Sequence, residues 1–252
     1  MMRTIFLFVA LGAFFQVKAQ QFIDKGKVEY EVRTNIKKTM GSGFWAELMK
    51  DKVPDFKTGY FSLTFADNKS VFKFDHWDNS KLPSYLTASD EEDVWYMDRN
   101  TAKLDMQKNI YGSNLNISDS IPKLKWKLSN ENRMIAGFNC RKAEAVIFDS
   151  VYIFAFYTEE ITYSGGPCSI NGLPGLIMGL TIPRLYTSWI ATKVEVTGIN
   201  EKNIKPASAK KPMDMKAFQA LLNERNKGWS DKPDEDKEYK EQIARFFWWS
   251  YL

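Results

Sequence analysis

The chain has few of the residues from which most catalytic and metal sites are built. Its 252 residues include one histidine, His76, and two cysteines, Cys140 and Cys168. Most serine and cysteine triads use a histidine base, and a zinc site needs a second histidine or a tight carboxylate set. The sequence contains no Gly-x-Ser-x-Gly elbow, Cys-x-x-Cys pair or P-loop. We therefore predict no catalytic residue of these classes, no metal and no cofactor.

A strong charge of one sign is also lacking. The full chain carries a formal charge of +4 at pH 7, with lysines and acids mixed along most of its length. Loss of the N-terminal segment would remove Arg3 and Lys18 and bring the charge closer to zero. A nucleic-acid partner requires a basic patch or stripe, so no nucleic-acid partner is predicted.

Long apolar runs are rare, and the clearest lies at the N-terminus, from Thr4 to Phe15. Arg3 precedes it, and the small residues of Val17-Lys18-Ala19 follow it, which is the pattern of a secretory signal peptide. The run is shorter than the roughly 20 residues of a membrane anchor. We predict a signal peptide at residues 1–19, cleaved near Ala19/Gln20, and a periplasmic, outer-envelope or secreted protein without a later transmembrane segment. The alternative is a buried N-terminal helix.

The expected export determines how the two cysteines are interpreted, because disulfides persist outside the cytosol. In an exported chain an even pair favours one disulfide, so we predict a bond between Cys140 and Cys168. It would stabilise the fold by about 3–4 kcal/mol on the chain-entropy account. Two free buried thiols are the alternative.

Short apolar and aromatic runs separated by turn residues fill most of the chain. Residues 26–34, 60–65 and 70–74 alternate in the two-residue period of half-buried strands. Strands recurring about every ten residues, without helical patterns between them, indicate an antiparallel sheet. We predict a mainly β domain over residues 20–199, built as a strongly curved antiparallel sheet or half-open β-barrel. A linker at 200–212 and a C-terminal helical segment at 213–252 would complete an α+β chain, with Asp214 capping a helix.

Aromatic residues are abundant, at 15% of the chain. Several fall in the predicted strands, and a curved sheet would bring them to a concave face able to bind an apolar ligand. The candidate ligand-face residues are Trp77, Trp95, Tyr96, Trp126 and Tyr157. Ordinary core packing is the alternative. A second aromatic cluster, from Phe246 to Tyr251, would cover the open face of the sheet, dock on a partner or touch a membrane.

The run Asn171 to Ile177 crowds turn formers against an apolar strand. Leu173-Pro174-Gly175-Leu176 has the residues of a type II turn, with Gly175 at positive φ, and Asn171-Gly172 those of a type I′ turn. We interpret the run as a rigid corner, with Leu173 and Leu176 anchored in the core. A backbone loop that contacts a ligand or partner is the alternative.

These residues resemble the GLPGLI family, exported proteins of Bacteroidota named for the hexapeptide Gly172 to Ile177. The resemblance extends to Ile135–Ala143, to Phe156–Ile161 and to Gly166-Pro167, and is best over residues 126–182. It implies an envelope accessory or binding protein and assigns no catalytic residue.

Two functions of different class follow. The first is an exported, non-catalytic envelope accessory that binds a partner protein or hydrophobic ligand on its curved sheet. The alternative is an envelope hydrolase or metal-dependent enzyme with a carboxylate site. It requires several acid–base candidates to converge in one pocket, namely Asp75, His76, Asp78, Glu159 and Glu160.

Overall fold

The computed structural model of the protein describes residues 22–41, 44–49, 51–78, 82–207, 211–230 and 237–252. The predicted signal peptide at residues 1–19 lies outside these ranges. Among the described residues, none of the helices has the length and apolar character needed to cross a bilayer.

Eleven strands and six α-helices form the described part of the chain. The strands are β1 Gly26–Asn35, β2 Phe56–Ala66, β3 Lys69–Trp77, β4 Val94–Asp98, β5 Lys103–Ile110, β6 Ser113–Ser120, β7 Lys127–Ile135, β8 Phe138–Ile147, β9 Val151–Thr158, β10 Leu176–Ile182 and β11 Thr187–Glu195. The helices are α1 Ile36–Met40, α2 Phe44–Met49, α3 Ala88–Glu92, α4 Met215–Arg225, α5 Lys227–Ser230 and α6 Lys237–Tyr251.

All strands belong to one sheet, in the order β6-β5-β4-β3-β2-β1-β11-β10-β9-β8-β7. Every neighbouring pair is antiparallel. The sheet consists of two meanders, β1–β6 and β7–β11, which join where β1 pairs with β11. The prediction of a mainly β, antiparallel fold with C-terminal helices is confirmed.

The connection between the two edge strands requires the sheet to curve. β6 ends at Ser120 and β7 begins at Lys127, and a chain of that length spans at most about 25 Å. In a flat sheet the two edge strands would lie about 48 Å apart, because neighbouring strands are about 4.8 Å apart. The edges therefore approach each other across the concave face, and residues 121–126, here called the strap, join them.

Side-chain alternation explains why these segments become strands. Along β1, Val28, Tyr30 and Val32 are buried, while the intervening residues remain partly exposed. The β2–β3 turn is formed by Asp67 and Asn68, both at positive φ, 50° and 60°. Asparagine and aspartate tolerate this conformation better than other side chains do, so they can form the two-residue turn of this hairpin.

The C-terminal segment packs on the sheet rather than standing apart from it. Asp214 caps α4 as predicted, its Oδ1 accepting the Ala217 N–H at 2.7 Å. Phe218 and Leu222 of α4 are buried in the main core. Within the predicted linker at 200–212, Ile204 packs against Ala66 and Tyr96 in a separate small cluster.

The predicted disulfide is absent: Cys140 and Cys168 are free, buried thiols. Burial raises the pKa of Cys140 to about 11 and also raises that of Cys168. The Sγ of Cys140 lies 3.5 Å from the Phe138 carbonyl oxygen, whereas the charges that act on Cys168 are those of Lys108 and two aspartates. Each cysteine is a small buried side chain with its own surroundings. The disulfide that was predicted from export is therefore not formed in this structure.

Candidate functional site

The C-terminal aromatic cluster covers the concave face of the sheet. Its members on α6 all pack against the core: Phe246, Phe247, Trp248, Trp249 and Tyr251. Trp249 stacks on Trp189 of β11, with ring centroids 5.9 Å apart. The indole N–H of Trp95 and the hydroxyl of Ser169 both donate to the main-chain oxygen of Leu252, at 2.9 and 3.0 Å. These contacts fill the centre of the concavity.

A buried ion pair lies beneath α6. Lys108 Nζ is 2.6 Å from Asp93 Oδ2, with side-chain exposures of 1% and 3%. The ammonium lies over the ring of Trp95, 4.4 Å from its centroid, and 3.5 Å from the carbonyl oxygen of Trp249. Burial raises the pKa of Asp93, and the positive charge of Lys108 opposes that rise. The pair ties β5 to α6, and neither side chain has a free surface for catalysis.

A groove of about 700 Å³ remains open where the sheet edges approach each other. Its walls come from the strap, the β8–β9 turn, the start of α4 and the end of α6. The apolar and aromatic lining consists of Leu104, Pro122, Leu124, Val146, Ile147, Phe148, Ile170, Met215, Tyr251 and Leu252. The volume lies within the usual range of small-ligand pockets, and an apolar lining with a few polar groups is typical of them.

The polar groups of the groove include three charged side chains, Asp119, Lys123 and Asp149. Asp119 accepts the main-chain N–H groups of Met215 and Ser120, at 2.9 and 2.6 Å. These hydrogen bonds lower the pKa of Asp119, the one from Met215 having the largest effect. The groove therefore has a mixed surface, in which apolar side chains alternate with polar and charged groups.

The five predicted ligand-face aromatics do not come together in one surface. Trp95 lies in the main core, whereas its neighbour Tyr96 lies in the small cluster on the other side of β4. Trp77 donates to Glu91, and Trp126 donates to the Asn171 carbonyl at 2.9 Å. Alternation along a strand sends adjacent side chains to opposite faces, so adjacent aromatics cannot share a concave face.

The fifth aromatic, Tyr157, is buried in the core, and its hydroxyl makes no hydrogen bond to a described residue. It lines a small polar cavity of about 250 Å³ together with Arg141, Glu159 and Glu160. The groove and this cavity share no lining residue. None of the five predicted aromatics lines the groove.

The acid–base candidates fall into two separate places. Asp75 and His76 lie on β3, with Asp75 Oδ2 2.8 Å from His76 Nδ1, and Asp78 follows that strand. The hydrogen bond to His76 lowers the pKa of Asp75, with Lys27 contributing. Glu159 and Glu160 follow β9, and four strands separate β9 from β3 in the sheet. The five side chains form no single cluster.

The hexapeptide run is a structural loop inside the fold. Leu173, Leu176 and Ile177 are each at most 1% exposed. Gly175 has φ +141°, as its predicted positive φ requires. The turn type differs from the prediction, because the Gly175 N–H donates to the Leu173 carbonyl at 2.8 Å and closes a three-residue turn around Pro174.

The neighbouring residues anchor this loop. No strand leads directly into Asn171-Gly172, because β9 ends at Thr158, so the dipeptide does not form the predicted type I′ hairpin turn. Instead the Asn171 side-chain amide donates to the Pro122 carbonyl at 3.1 Å, and the Gly166-Pro167 pair is buried. The loop therefore positions the strap, which forms one wall of the groove.

The sequence patterns predicted neither the groove nor the buried ion pair of Lys108 and Asp93. One signal for the pair was present, since Leu104, Met106, Lys108 and Ile110 alternate on β5 and all four are buried. The groove offered no local signal, because the strap, the β8–β9 turn and the two helices are distant in sequence.

Comparisons with known proteins agree on one type of domain. The sequence matches the family described as "N-glycanase peptide, N-terminal domain" over residues 78–220, more than half of the chain. Two solved structures of PNGF-II, in the C2 and P21 space groups, each superpose with a TM-score of 0.53, at 14% and 13% identity. Each alignment covers 79% of this chain but 32% and 33% of PNGF-II, so the chain spans about a third of that protein. At this identity the likeness shows the fold alone.

One further relative is an uncharacterised protein of Mycoplasma pneumoniae. It is 26% identical over 97 residues, which cover 38% of this chain and 49% of the relative.

Proposed function

We propose that this chain, which belongs to the family of the N-glycanase peptide N-terminal domain, is a non-catalytic module that binds an amphipathic, acyl-chain-bearing ligand. The family is named for an N-terminal domain, and the chain spans about a third of PNGF-II. A binding role beside an enzymatic partner is consistent with that relation.

The groove is the observation that carries this proposal. Ten apolar or aromatic side chains and three charged ones line about 700 Å³ of space. An alkyl chain would gain about 0.8 kcal/mol for each methylene that it buries there, and a polar head would meet the charged side chains of Asp119, Lys123 and Asp149. The separation of the five acid–base candidates supports binding over the hydrolase alternative.

We further propose that the protein acts after export, as an envelope accessory of the GLPGLI type. The apolar run and cleavage-like site at residues 1–19 support export. The hexapeptide and its flanking segments support the family resemblance. Mass spectrometry of the mature protein from envelope fractions tests the export and the envelope location. An uncleaved chain in the cytosol would refute this part of the proposal.

Binding of dodecanoate, measured by isothermal titration calorimetry, tests the groove. We expect saturable binding to the unaltered protein, and at least about tenfold weaker binding to Val146→Asp, a difference of about 1.4 kcal/mol. Val146 lines the groove and is 44% exposed, so aspartate there places a charge beside the ligand without entering the core.

Met134→Asp is the matched control. Met134 is 64% exposed on β7 and does not line the groove. Unchanged dodecanoate affinity is expected in this variant. The absence of saturable binding, or an equal loss in both variants, would refute the assignment of the groove.

A further inference from the structure

A second cavity, of about 330 Å³, lies beside α6 and shares no lining residue with the groove. Its walls come from β1, β2, α3, the turn before β11 and α6. On the α6 side it is lined by Gln242, Arg245, Phe246 and Trp249. Apolar and polar side chains both line it, and its volume is near the lower end of the range for small-ligand sites.

Arg245 is the unusual member of this cavity, because its charge is buried without a close carboxylate, and only the ring of Tyr186, with its centroid 5.4 Å from Cζ, faces the guanidinium. Its side chain is 9% exposed, and its Nε donates to no described residue. The nearest carboxylate oxygen, on Glu241, is 3.9 Å from Nη1. Glu241 is already held by Arg184 through two hydrogen bonds, of 3.0 and 2.6 Å. A buried guanidinium without a close anion is energetically unfavourable, so an anionic ligand bound beside it would stabilise it.

The ion pair of Lys57 and Asp90 in the same cavity does not neutralise the charge of Arg245. Lys57 Nζ donates to Asp90 Oδ2 at 2.6 Å and to the Leu86 carbonyl at 3.0 Å. Lysine and aspartate therefore neutralise each other, and the cavity retains one positive charge, that of Arg245.

Several polar donors of the wall are already used within the protein. The Thr39 hydroxyl donates to the Ile36 carbonyl, the Thr187 hydroxyl to the Leu185 carbonyl, and the Gln242 amide to the Met40 carbonyl, at 2.6, 2.9 and 2.8 Å. These hydroxyls offer acceptors, and the Gln242 amide and the Lys57 ammonium each keep one N–H, but Arg245 is the lining cation that no carboxylate neutralises at close range. An anionic ligand group would therefore be attracted to Arg245.

We propose that this cavity binds a small organic carboxylate through Arg245. A carboxylate carries the single negative charge that the guanidinium lacks and matches its planar donors. A dianionic phosphate would leave a second charge uncompensated next to Asp90. Phe246 and Trp249 give the organic part of the ligand an apolar wall.

Isothermal titration calorimetry with benzoate, D-glucuronate and inorganic phosphate tests the proposal. We expect one of the two carboxylates to bind the unaltered protein, and Arg245→Met to weaken that binding at least about tenfold, since a charge-assisted hydrogen bond is lost. Glu241 keeps Arg184 in this variant, so no carboxylate is stranded and the fold should persist. Benzoate and glucuronate distinguish an apolar ligand body from a hydroxylated one.

Arg225→Met is the matched control, because Arg225 is exposed on α4 and outside the cavity. It should bind the same carboxylate as the unaltered protein does. Ser89→Phe is a second variant that fills the cavity while leaving Arg245 in place, and it too should weaken binding at least about tenfold. Binding of neither carboxylate, a preference for phosphate, or full binding by Arg245→Met would each overturn the proposal.

Discussion

Gly175→Ala tests the role of the hexapeptide loop. Gly175 adopts φ +141°, a conformation that L side chains rarely adopt. A Cβ added there would lie 2.0 Å from the Thr158 carbonyl oxygen and 2.8 Å from its carbonyl carbon. Both atoms are main-chain atoms at the end of β9, so no side-chain rotation relieves the clash. The loop or the strand end must move.

The expected loss of stability has two parts. The backbone conformation costs about 1–3 kcal/mol for a residue with a side chain. Overpacking against a rigid neighbour costs about 1–3 kcal/mol more. The free energy of unfolding should therefore fall by about 2–6 kcal/mol, a large fraction of the about 5–15 kcal/mol of an ordinary domain.

Gly137→Ala separates the two parts. Gly137 also has a positive φ, +87°, but nothing lies within 4 Å of the position that its Cβ would occupy. This control should lose only about 1–2 kcal/mol. Urea unfolding followed by circular dichroism measures both variants. Equal losses at the two glycines would show that Gly175 does not press on β9, and the reasoning would fail.

Three further predictions follow from charges and thiols. Asp93→Asn should destabilise the protein by about 3–5 kcal/mol in urea unfolding, because it leaves the buried ammonium of Lys108 without its counter-ion. Glu241→Gln should lower stability at pH 7. Arginine hydrogen bonds hold the pKa of Glu241 below its usual 4.5, so the difference should shrink as the pH falls below that value. Cys140 and Cys168 should resist Ellman's reagent at pH 8 in the folded protein and both react after unfolding; a bridged pair without titratable thiols would contradict this expectation.

The sequence predicted the strands well because their signal is local. Alternation needs only neighbours two residues apart, and it identified residues 26–34, 60–65 and 70–74, which lie within β1, β2 and β3. The prediction of a curved sheet was also correct. The order of the strands was not available from that pattern, since pairing of β1 with β11 joins residues far apart in the chain.

The sites were harder to predict because each assembles from distant segments. The groove combines the strap, the β8–β9 turn and two helices, and no short window contains more than one of these parts. The cavity at Arg245 depends on what its neighbours leave unbonded, a property of the complete hydrogen-bond network. Aromatic content suggested a concave ligand face, but Trp95 is part of the core beneath α6 and Tyr96 lies on the other side of β4.

The C-terminal segment is better understood as part of the sheet domain than as an appendage. Its Trp249 stacks on β11, Leu252 accepts hydrogen bonds from Trp95 and Ser169, and Met213 exchanges main-chain hydrogen bonds with β6. α6 also supplies walls to both the groove and the Arg245 cavity. Removing residues 213–252 would expose the core side chains beneath α6 and leave the ammonium of Lys108 open to water. We therefore expect such a truncation to destabilise the domain, so point variants are the way to test the two sites separately.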